Sequence, residues 1–332
     1  MKKVNIGIVG ATGLVGQTFI KVLEEYNIPV NILKLFASKK SLGKKLTFNK
    51  KEYYIEVLKE GCFNGLDFVL FSAGSKVSER WAPIAEKTGA YVIDNSSFWR
   101  MNEDCSLIVP EINMSDYKNK RKIISNPNCS TIQAVLPLKP LDEYYGINRI
   151  IFATYQSVSG SGQKGIDDYN NTKKGFKPKF YPYDIQKTCI PHIDLFLDNG
   201  YTKEEMKMVN EAKKILHNPN IKIAATCVRV PILFAHGVLI HAELNKKVES
   251  IEEVKNVIKK QSGIVLLDEP EKSIYPISTA AVGTDKVYVG RIRFDLSKPN
   301  GIILYCVADN VRKGAASNAI QILEKIIKEN NK

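Results

Sequence analysis

The chain has 332 residues, of which 44% are hydrophobic and 25% charged. This is ordinary globular usage and excludes a disordered chain, a fibre or a coiled-coil rod. The net charge of +13 comes mainly from lysines, which are scattered, so we expect no nucleic-acid partner. No apolar run reaches the roughly 18–20 residues of a membrane span, so we expect no membrane partner.

Six cysteines stand at positions 62, 105, 129, 189, 227 and 306, and none forms a CxxC pair. The spacing therefore predicts neither a zinc site nor a redox disulfide, and we expect no bound metal. A chain of this length does not need disulfides to hold its core. We interpret the protein as cytoplasmic, with reduced thiols.

The first half alternates continuous apolar runs with helical patterns, which indicates βαβ units and a parallel sheet. The predicted strands are 3–9, 32–37, 67–72, 91–94 and 122–125, and the predicted helices are 13–26, 75–88 and 130–144. Pro137 and Pro140 limit how far the last of these helices can run undistorted. A domain boundary is expected near residues 126–129.

The second half is richer in strands, which favours a mixed or antiparallel sheet. Predicted strands are 149–159, 221–230, 238–244, 287–294 and 302–308, and predicted helices are 202–217, 251–258 and 313–328. Residues 170–191, rich in Lys, Pro, Tyr and Asn, predict an irregular insertion.

The segment GATGLVG (10–16) joins the first predicted strand to the first predicted helix. Its glycines let the backbone approach a pyrophosphate, and the helix start offers free N–H groups. A tight turn that merely needs glycine is the alternative, but the placement favours dinucleotide binding.

The second predicted strand ends in SKKS (38–41), where NAD-binding folds usually carry an acid. Hydroxyls and cations suit a 2′-phosphate, so the sequence predicts NADP rather than NAD. A solvated lysine loop is the alternative.

Cys129 lies in NPNCST (126–131), after a predicted strand and at a predicted helix start. The helix dipole and free N–H groups favour its thiolate, whereas we expect the other five cysteines to be structural thiols. A thiolate that adds to an aldehyde gives a hemithioacetal, which can lose hydride to a nicotinamide. The thioester so formed can be cleaved by phosphate, with a base managing the proton.

Nine motifs occur together along the chain and cover both halves. In order they are GATGLVG, SAGS (72–75), DNSSFWR (94–100), VPEIN (109–113), NPNCSTIQ (126–133), TYQSVSGSG (154–162), ATCVRVP (225–231), VGRIR (289–293) and DNVRKGAASNAIQI (309–322). Together they closely resemble the aspartate-semialdehyde dehydrogenase family. The resemblance spans essentially the whole chain.

The resemblance implies an α/β protein with a Rossmann-type NADP-binding domain at 1–128. It also implies an α+β catalytic and dimerisation domain with a mixed sheet at 129–311. A C-terminal helix at about 312–330 is expected to pack back on the first domain. The family resemblance further implies a homodimer, or two dimers paired as a tetramer.

Three residues match catalytic positions of the family. Cys129 matches the nucleophile, and His236 the acid/base, whose neutral ring can accept a proton and later return it. Gln156 matches the glutamine that orients the reacting group. The rival histidine is His241, but an odd separation of five on one strand would put the two rings on opposite faces.

Four residues match substrate-binding positions. Arg229 matches the arginine that holds the substrate α-carboxylate, and Glu211 the acid that pairs with its amino group. Lys214, on the same helical face as Glu211, and Arg100 match the groups that hold phosphate. Surface ion pairs are the alternative for Arg229 and Glu211, and a solvated side chain for Lys214.

The remaining matches are cofactor-binding positions. They are Gly10, Thr12, Gly13, Leu14 and Val15 at the pyrophosphate, Ser38 and Ser41 at the 2′-phosphate, and Ser72, Ala73, Gly74, Asn95, Gly160 and Asn310 at the nicotinamide half.

The activity that the resemblance implies is reduction of L-aspartyl-4-phosphate by NADPH to aspartate semialdehyde and phosphate, through a thioester on Cys129. It belongs to lysine, threonine, methionine and diaminopimelate synthesis. The alternatives are a sister acyl-phosphate reductase, such as that for N-acetylglutamyl phosphate, and a non-catalytic cofactor-binding module. Glu211 distinguishes the N-acetylglutamyl phosphate reductase from the proposed activity, because an acetylated amine has no charge with which Glu211 could pair.

The chain departs from the family pattern at three places. Gly237 stands where the family often has serine, which we interpret as more room and one hydroxyl fewer. The 170–190 insertion is short and lacks the acidic, glycine-rich stretch of many members. The segment KTCIP (187–191) replaces the FNxxP pattern that helps build the family's dimer surface, so details of that surface are expected to differ.

Overall fold

The computed structural model describes residues 3–118 and 120–330. Its strands are β1 Val4–Val9, β2 Val30–Phe36, β3 Lys45–Phe48, β4 Lys51–Glu56, β5 Phe68–Phe71, β6 Tyr91–Asp94, β7 Ser106–Leu107, β8 Ile123–Ser125, β9 Ile147–Gln156, β10 Lys222–Arg229, β11 His236–Leu244, β12 Ile264–Leu266, β13 Val287–Phe294 and β14 Gly301–Ala308. Its α-helices are α1 Leu14–Glu25, α2 Ser75–Lys87, α3 Cys129–Tyr145, α4 Gln163–Lys173, α5 Lys203–Ile215, α6 Ile251–Lys259, α7 Ser278–Ala281 and α8 Ser317–Asn330. A π-helical turn over Arg312–Ala316 precedes α8.

The chain divides into two compact units, one made of residues 1–127 and 315–332 and the other of residues 128–314. We call them the first and the second unit and describe each separately. Within the described ranges, no helix has both the length and the apolar character needed to cross a bilayer.

The first unit is built on an eight-stranded sheet in the order β3-β4-β2-β1-β5-β6-β8-β7. Its pairings are parallel except between β3 and β4. The central strands β1, β5, β6 and β8 are mostly buried because both faces are covered, as β5 shows with four buried residues out of four. Helices α1 and α8 cover one face, where Phe19, Leu23 and Leu323 join the strand residues in one core. The predicted Rossmann-type domain is confirmed.

The other face of this sheet carries a second core. Ala82 and Ala85 of α2 pack there with Phe63, Phe71 and Trp99. The Trp99 indole donates to the Ser78 hydroxyl at 3.1 Å, so the DNSSFWR segment is fixed to α2. This positions Arg100, which follows directly.

The hairpin β3–β4 is an element that the sequence reading missed. Each strand has only one buried residue, Phe48 or Ile55, among exposed and often charged ones, so its apolar alternation is short. The two turn residues, Asn49 and Lys50, have φ of 48° and 63°. Positive φ at both central positions is the type I′ geometry that matches the twist of a two-residue hairpin.

The second unit contains a six-stranded mixed sheet in the order β10-β9-β11-β14-β13-β12. Strand β9 is parallel to β10 and antiparallel to β11, which confirms the predicted mixed sheet. Helix α4 occupies 163–173 and was not predicted, so the irregular insertion begins later than the composition suggested.

Helix α3 runs through both of its prolines, as the predicted helix 130–144 does. Pro137 has no N–H for the carbonyl of Gln133, four residues earlier. That carbonyl accepts a hydrogen bond from the Cys306 thiol at 3.6 Å. The helix is buried over almost its whole length, so packing outweighs the lost backbone bond.

Candidate active site

Cys129 is the first residue of α3 and follows a well-formed cap. The Asn128 Oδ1 accepts from the backbone N–H groups of Ser130 (2.9 Å) and Thr131 (3.2 Å). A Cβ on Gly314 would stand 2.9 Å from the Cys129 Cβ, so only glycine fits against the cysteine there. The cysteine is partly exposed, unlike buried Cys62, Cys105, Cys227 and Cys306. A helix N-terminus and partial exposure are the surroundings of reactive cysteines.

The sheet brings three strand ends together beneath this helix. Arg229 and Gln156, the last residues of two parallel strands, pair in register. The antiparallel strand β11 begins with His236 beside the same end of β9. The Gln133 side chain, one turn after Cys129, donates to the His236 carbonyl at 3.0 Å. The first turn of α3 is thereby fixed over the strand that carries the histidine.

His236 is fully buried, and its environment determines which ring nitrogen carries the proton. Its Nδ1 lies 3.0 Å from the backbone nitrogen of Ser157. Because a backbone N–H can only donate, Nδ1 is the acceptor and the ring hydrogen is on Nε2. Nε2 has no hydrogen-bond partner among the residues described. The neutral ring therefore presents one buried, unused donor.

Burial, reinforced by the positive charge of Arg229, lowers the pKa of His236 to about 3. In this resting form Nε2 carries the hydrogen, and the acid/base role of the ring stays a prediction. This form can donate a hydrogen bond to an oxygen that gains charge.

We expect the His236 ring to stay unprotonated as the pH falls through 6.5, the ordinary histidine value. The unfolded chain would take up its proton there and the folded chain only near pH 3. Acid therefore destabilises the fold through this residue. NMR of protein labelled with ¹⁵N in its histidine rings, recorded at pH 5, should show the neutral Nε2–H ring of His236. That signal should be missing from a His236→Asn variant, and a fully protonated set at pH 5 would contradict the assignment.

Arg229 is 4% exposed, and its Nη1 donates to the Ser157 carbonyl at 2.6 Å. A Cβ on Gly160 would lie 2.7 Å from that Nη1 and 3.1 Å from the His236 Nε2. The Gly160 backbone thus lies directly against both groups, and any side chain there would cover them.

Asn310 binds the same loop from the end of β14, whose last residue Ala308 pairs with His236. Its Oδ1 accepts from the hydroxyls of Ser157 (3.0 Å) and Ser159 (3.1 Å) and from the Ala235 N–H (3.0 Å). Ala235 has a φ of 70°, a strained value for alanine that this bond helps to hold. The Asn310 side chain therefore fixes the position of the neighbouring His236.

Helix α5 contributes the acids of the site. Glu211 is 1% exposed, and its Oε2 accepts from the backbone N–H of Asn128 at 2.6 Å. Lys214, three residues later, is half-buried on the same helical face. Sequence reasoning missed Glu204 on this face, whose Oε1 accepts from Gln156 Nε2 at 3.0 Å. The signal was its spacing of seven residues from Glu211, which returns to the same face after two turns.

His241 points away from this group of residues. Its Nδ1 lies 3.4 Å from an Asp295 carboxylate oxygen. Both histidines lie on β11, and the odd separation places them on opposite faces, as predicted.

The predicted pyrophosphate loop lies in the first unit, at the carboxyl edge of its parallel sheet. Gly10 has a φ of 89°, and a Cβ there would stand 2.3 Å from the Ser72 carbonyl oxygen. A Cβ on Gly16 would stand 2.1 Å from the Gly10 carbonyl, so α1 packs tightly on the loop. Gly13 is the N-cap of α1 and has no side chain to cover the helix start. A backbone cradle at a helix start fits a pyrophosphate.

The other predicted cofactor residues of this unit surround that loop. The N–H groups of Gly10 and Ala11 both donate to the carbonyl of Phe36, at the end of β2. Ser38 then caps a short 3₁₀ turn, Lys39–Ser41, which has no acid in its first turn. Ser38, Lys39 and Lys40 are exposed.

The nicotinamide-side residues of the first unit follow β5 and β6 at the same edge of the sheet. Gly74 caps α2 with a φ of 83°. The Asn95 Oδ1 accepts from the Asn126 side chain at 2.8 Å, and the Asn95 carbonyl accepts from Arg100 Nη2 at 3.0 Å. Arg100 is 7% exposed.

Family models match both parts of the chain. Residues 5–120 match a semialdehyde dehydrogenase NAD-binding domain, and residues 138–313 match a semialdehyde dehydrogenase dimerisation domain.

Individual relatives agree over nearly the full length. The aspartate-semialdehyde dehydrogenase of Aquifex aeolicus is 49% identical over 98% of each chain, and that of Bacillus subtilis 44% over 98% of each. The crystal structure of aspartate-semialdehyde dehydrogenase II from Vibrio cholerae, complexed with ASA, superposes with a TM-score of 0.93 at 43% identity, covering 99% of each chain. The chain therefore belongs to the aspartate-semialdehyde dehydrogenase family.

Proposed function

We propose that this chain reduces L-aspartyl-4-phosphate to aspartate semialdehyde with NADPH, using Cys129 as the nucleophile. The observation that carries the proposal is the capped start of α3, held over the strand end that bears His236. The Cys129 thiolate displaces phosphate from the acyl carbon and forms a thioester. When bound, the nicotinamide supplies the hydride that reduces this thioester to a hemithioacetal. Collapse of the hemithioacetal releases the aldehyde and returns the thiol.

His236 manages charge on the reacting oxygen. In its resting form the Nε2 hydrogen is free to donate, because the Ser157 N–H occupies Nδ1. A donor in a buried site stabilises an oxygen that becomes negative in the tetrahedral state. When the hemithioacetal collapses, its hydroxyl loses a proton and the C–S bond breaks. The departing thiolate takes up that proton, which restores the Cys129 thiol.

Arg229 and Glu211 select the substrate by its two charged groups. The Arg229 guanidinium uses one donor on the Ser157 carbonyl, and its planar fork suits a carboxylate. Glu211 is the acid for the α-amino group, with Lys214 and Arg100 as the phosphate-holding cations. This set favours aspartyl phosphate over an N-acetylated substrate, whose nitrogen carries no charge.

The same reasoning extends to the cofactor preference. The exposed turn of Ser38, Lys39 and Lys40 follows the strand end where an NAD-binding fold carries an acid. Hydroxyls and ammonium groups are partners for a 2′-phosphate, and no carboxylate in the turn repels it. We therefore propose NADP as the cofactor.

A Ser38→Asp variant should lower kcat/KM for NADP about 100-fold and leave kcat/KM for NAD within about threefold, because the carboxylate repels the phosphate but accepts from a ribose hydroxyl. The measurement is steady-state kinetics with each cofactor at saturating aspartate semialdehyde and phosphate. Asn31→Asp, at an exposed position near the amino end of β2, is the matched control because it also adds one negative charge. A wild-type NADP/NAD ratio near or below one would contradict the proposed preference.

The family and the exposed apolar residues of the second unit support proposals for the oligomeric state and the cellular location. We propose a homodimer formed through the second unit, where Tyr155, Ile232 and Leu195 are exposed apolar side chains. We place the reaction in the cytoplasm, where its six free cysteines stay reduced. The direct test of the activity is NADPH formation from aspartate semialdehyde, phosphate and NADP.

A further inference from the structure

The segment that follows α4 takes no part in the chemistry proposed above, yet it is held firmly in place. Residues 175–185, which we call the strap, are all described and form neither helix nor strand. Connecting segments of this kind usually run over the surface. Here Ile185 is completely buried, in a small core that also contains Val158. The strap is therefore packed against the loop of residues 157–162, whose first backbone N–H donates to His236.

Asp168, on α4, anchors the strap. Its side chain is buried, with only 3% of the residue exposed. Its Oδ1 accepts from the backbone N–H of Lys179 at 2.6 Å, and its Oδ2 accepts from the backbone N–H of Tyr181 at 3.1 Å. Hydrogen bonds to a charged acceptor are stronger than those between neutral groups. The two oxygens of this carboxylate therefore fix the backbone of the strap at the point where Tyr181 leaves it.

Tyr181 connects the strap to the loop 157–162. Its hydroxyl donates to the Ser161 Oγ at 3.0 Å and lies 3.4 Å from the Val158 carbonyl oxygen. A Cβ on Gly165 would stand 2.7 Å from this hydroxyl and 2.5 Å from the Val158 carbonyl oxygen. Only glycine at this position of α4 leaves room for the contact. Burial raises the pKa of Tyr181, so its hydroxyl keeps the proton that it donates.

The two halves of the loop 157–162 have different anchors. In the first half, the N–H groups of Val158 and Ser159 donate to two carbonyls that shortly precede β11, at 2.8 and 3.1 Å. In the second half, the Ser161 hydroxyl is bound by Tyr181 of the strap. Gly160 lies between these anchors and is exposed. Its position therefore depends on the strap as well as on the sheet.

We infer that Tyr181 is a positioning residue for the nicotinamide cofactor, holding Gly160 in place through Ser161. Asp168 supports this role because it fixes the backbone of Tyr181. The inference rests on the proposed function, in which Gly160 is a cofactor-binding position. Since glycine has no side chain, its backbone can meet a ligand only where the loop places it. The bonds that hold the loop use groups of the chain alone, so a cofactor would lose less affinity in ordering it.

Tyr183 provides a matched control. It is a second tyrosine of the strap, two residues after Tyr181, and it is 65% exposed. A Tyr183→Phe variant therefore removes the same hydroxyl group from the same segment at a solvent-facing position. Tyr181→Phe keeps the aromatic ring in the small core with Ile185 and removes only the bond to Ser161, so we expect both variants to fold.

The first test is hydrogen–deuterium exchange of the loop amides, followed by mass spectrometry, which needs neither turnover nor cofactor. Tyr181→Phe should speed exchange in peptides that cover residues 157–162 about fivefold, because the loop opens more readily without its hydroxyl anchor. Peptides of α6, in the same unit, should exchange at the wild-type rate, and Tyr183→Phe should change neither region. An unchanged loop, or equal acceleration in α6, would overturn the inference.

The second test is a double-mutant cycle on cofactor affinity, measured by fluorescence titration with NADPH. Tyr181→Phe should raise the Kd for NADPH about fivefold and leave kcat and the KM for aspartate semialdehyde within about twofold. Asp168→Asn should raise the Kd to a similar extent, but add little once Tyr181 is already phenylalanine, because both act through one contact. Fully additive effects would contradict that chain of contacts.

The two tests separate this inference from the proposed function. A folded wild-type protein that binds no NADPH, or that shows no turnover, would reject the proposed function. The exchange rates would still decide whether Tyr181 holds the loop 157–162.

Discussion

A Cys129→Ser variant should lose phosphate-dependent NADP reduction by at least about 10⁴-fold while it remains folded and binds cofactor. The change replaces one atom, so the packing of Gly314 against the residue is kept. A helix N-terminus that favours a thiolate cannot ionise an alcohol, whose pKa is far higher. A serine would also form an ester, which is a poorer acceptor of hydride than a thioester. The measurement is nicotinamide absorbance with aspartate semialdehyde, phosphate and NADP.

Cys189→Ser is the control, because Cys189 is an exposed free thiol in the same unit. It should keep full activity. Cofactor binding, measured by fluorescence titration with NADPH, should be unchanged in both variants, since the glycine loop is remote in sequence from both. If the Cys129 variant keeps more than a few per cent of the activity, another group is the nucleophile.

The elements that sequence predicted well are those whose burial leaves a periodic or continuous apolar signal. The strand 91–94 and helix 13–26 agree with β6 and α1 to within one residue at each end. The hairpin β3–β4 left only a short signal, the alternation of Leu46 with Phe48 and of Tyr53 with Ile55, and its turn uses Asn49 and Lys50 rather than glycine. Local composition cannot reveal a hairpin that is fixed by its pairing with the rest of a sheet.

Gly237 shows why the free space around a residue cannot be predicted from that residue alone. The sequence suggested extra room beside His236. In the structure, a Cβ on Gly237 would stand 1.8 Å from the Tyr305 hydroxyl oxygen. The space is filled from the neighbouring strand β14, whose contribution depends on sheet order and cannot be read from the chain near residue 237.

Without the family resemblance, the site was predictable only where a residue type and its local setting carried the chemistry. Cys129 had such a setting in its turn and helix start. The role of Ser157 depends on one backbone N–H that reaches His236 across the sheet, and any residue type supplies such a group. Glu204 had a helical spacing but no distinctive neighbours, so its contact with Gln156 required the fold.

An Arg229→Gln variant should lower kcat/KM for aspartate semialdehyde by about 10²–10³-fold, mainly through KM. Glutamine is neutral and offers no planar fork, so the substrate carboxylate would lose a charged, bidentate partner. Because Arg229 also depresses the pKa of His236, its removal should move the protonation of that ring to higher pH. The measurements are steady-state kinetics and NMR of the histidine rings.

Arg149→Gln is the matched control. Arg149 lies near the other end of β9, where its Nη1 pairs with Glu243 at 2.7 Å, and it is far more exposed. Its loss should leave kcat/KM within about twofold, as for a surface ion pair.

A comparison of two substrates isolates the role of the carboxylate, because 3-aminopropanal is aspartate semialdehyde without that group. The wild type should have a much higher kcat/KM for aspartate semialdehyde than for 3-aminopropanal, whereas Arg229→Gln should have almost equal kcat/KM for the two aldehydes. If Arg229→Gln keeps the wild-type preference, the role of Arg229 is to hold the Ser157 loop in place, and another cation binds the substrate carboxylate.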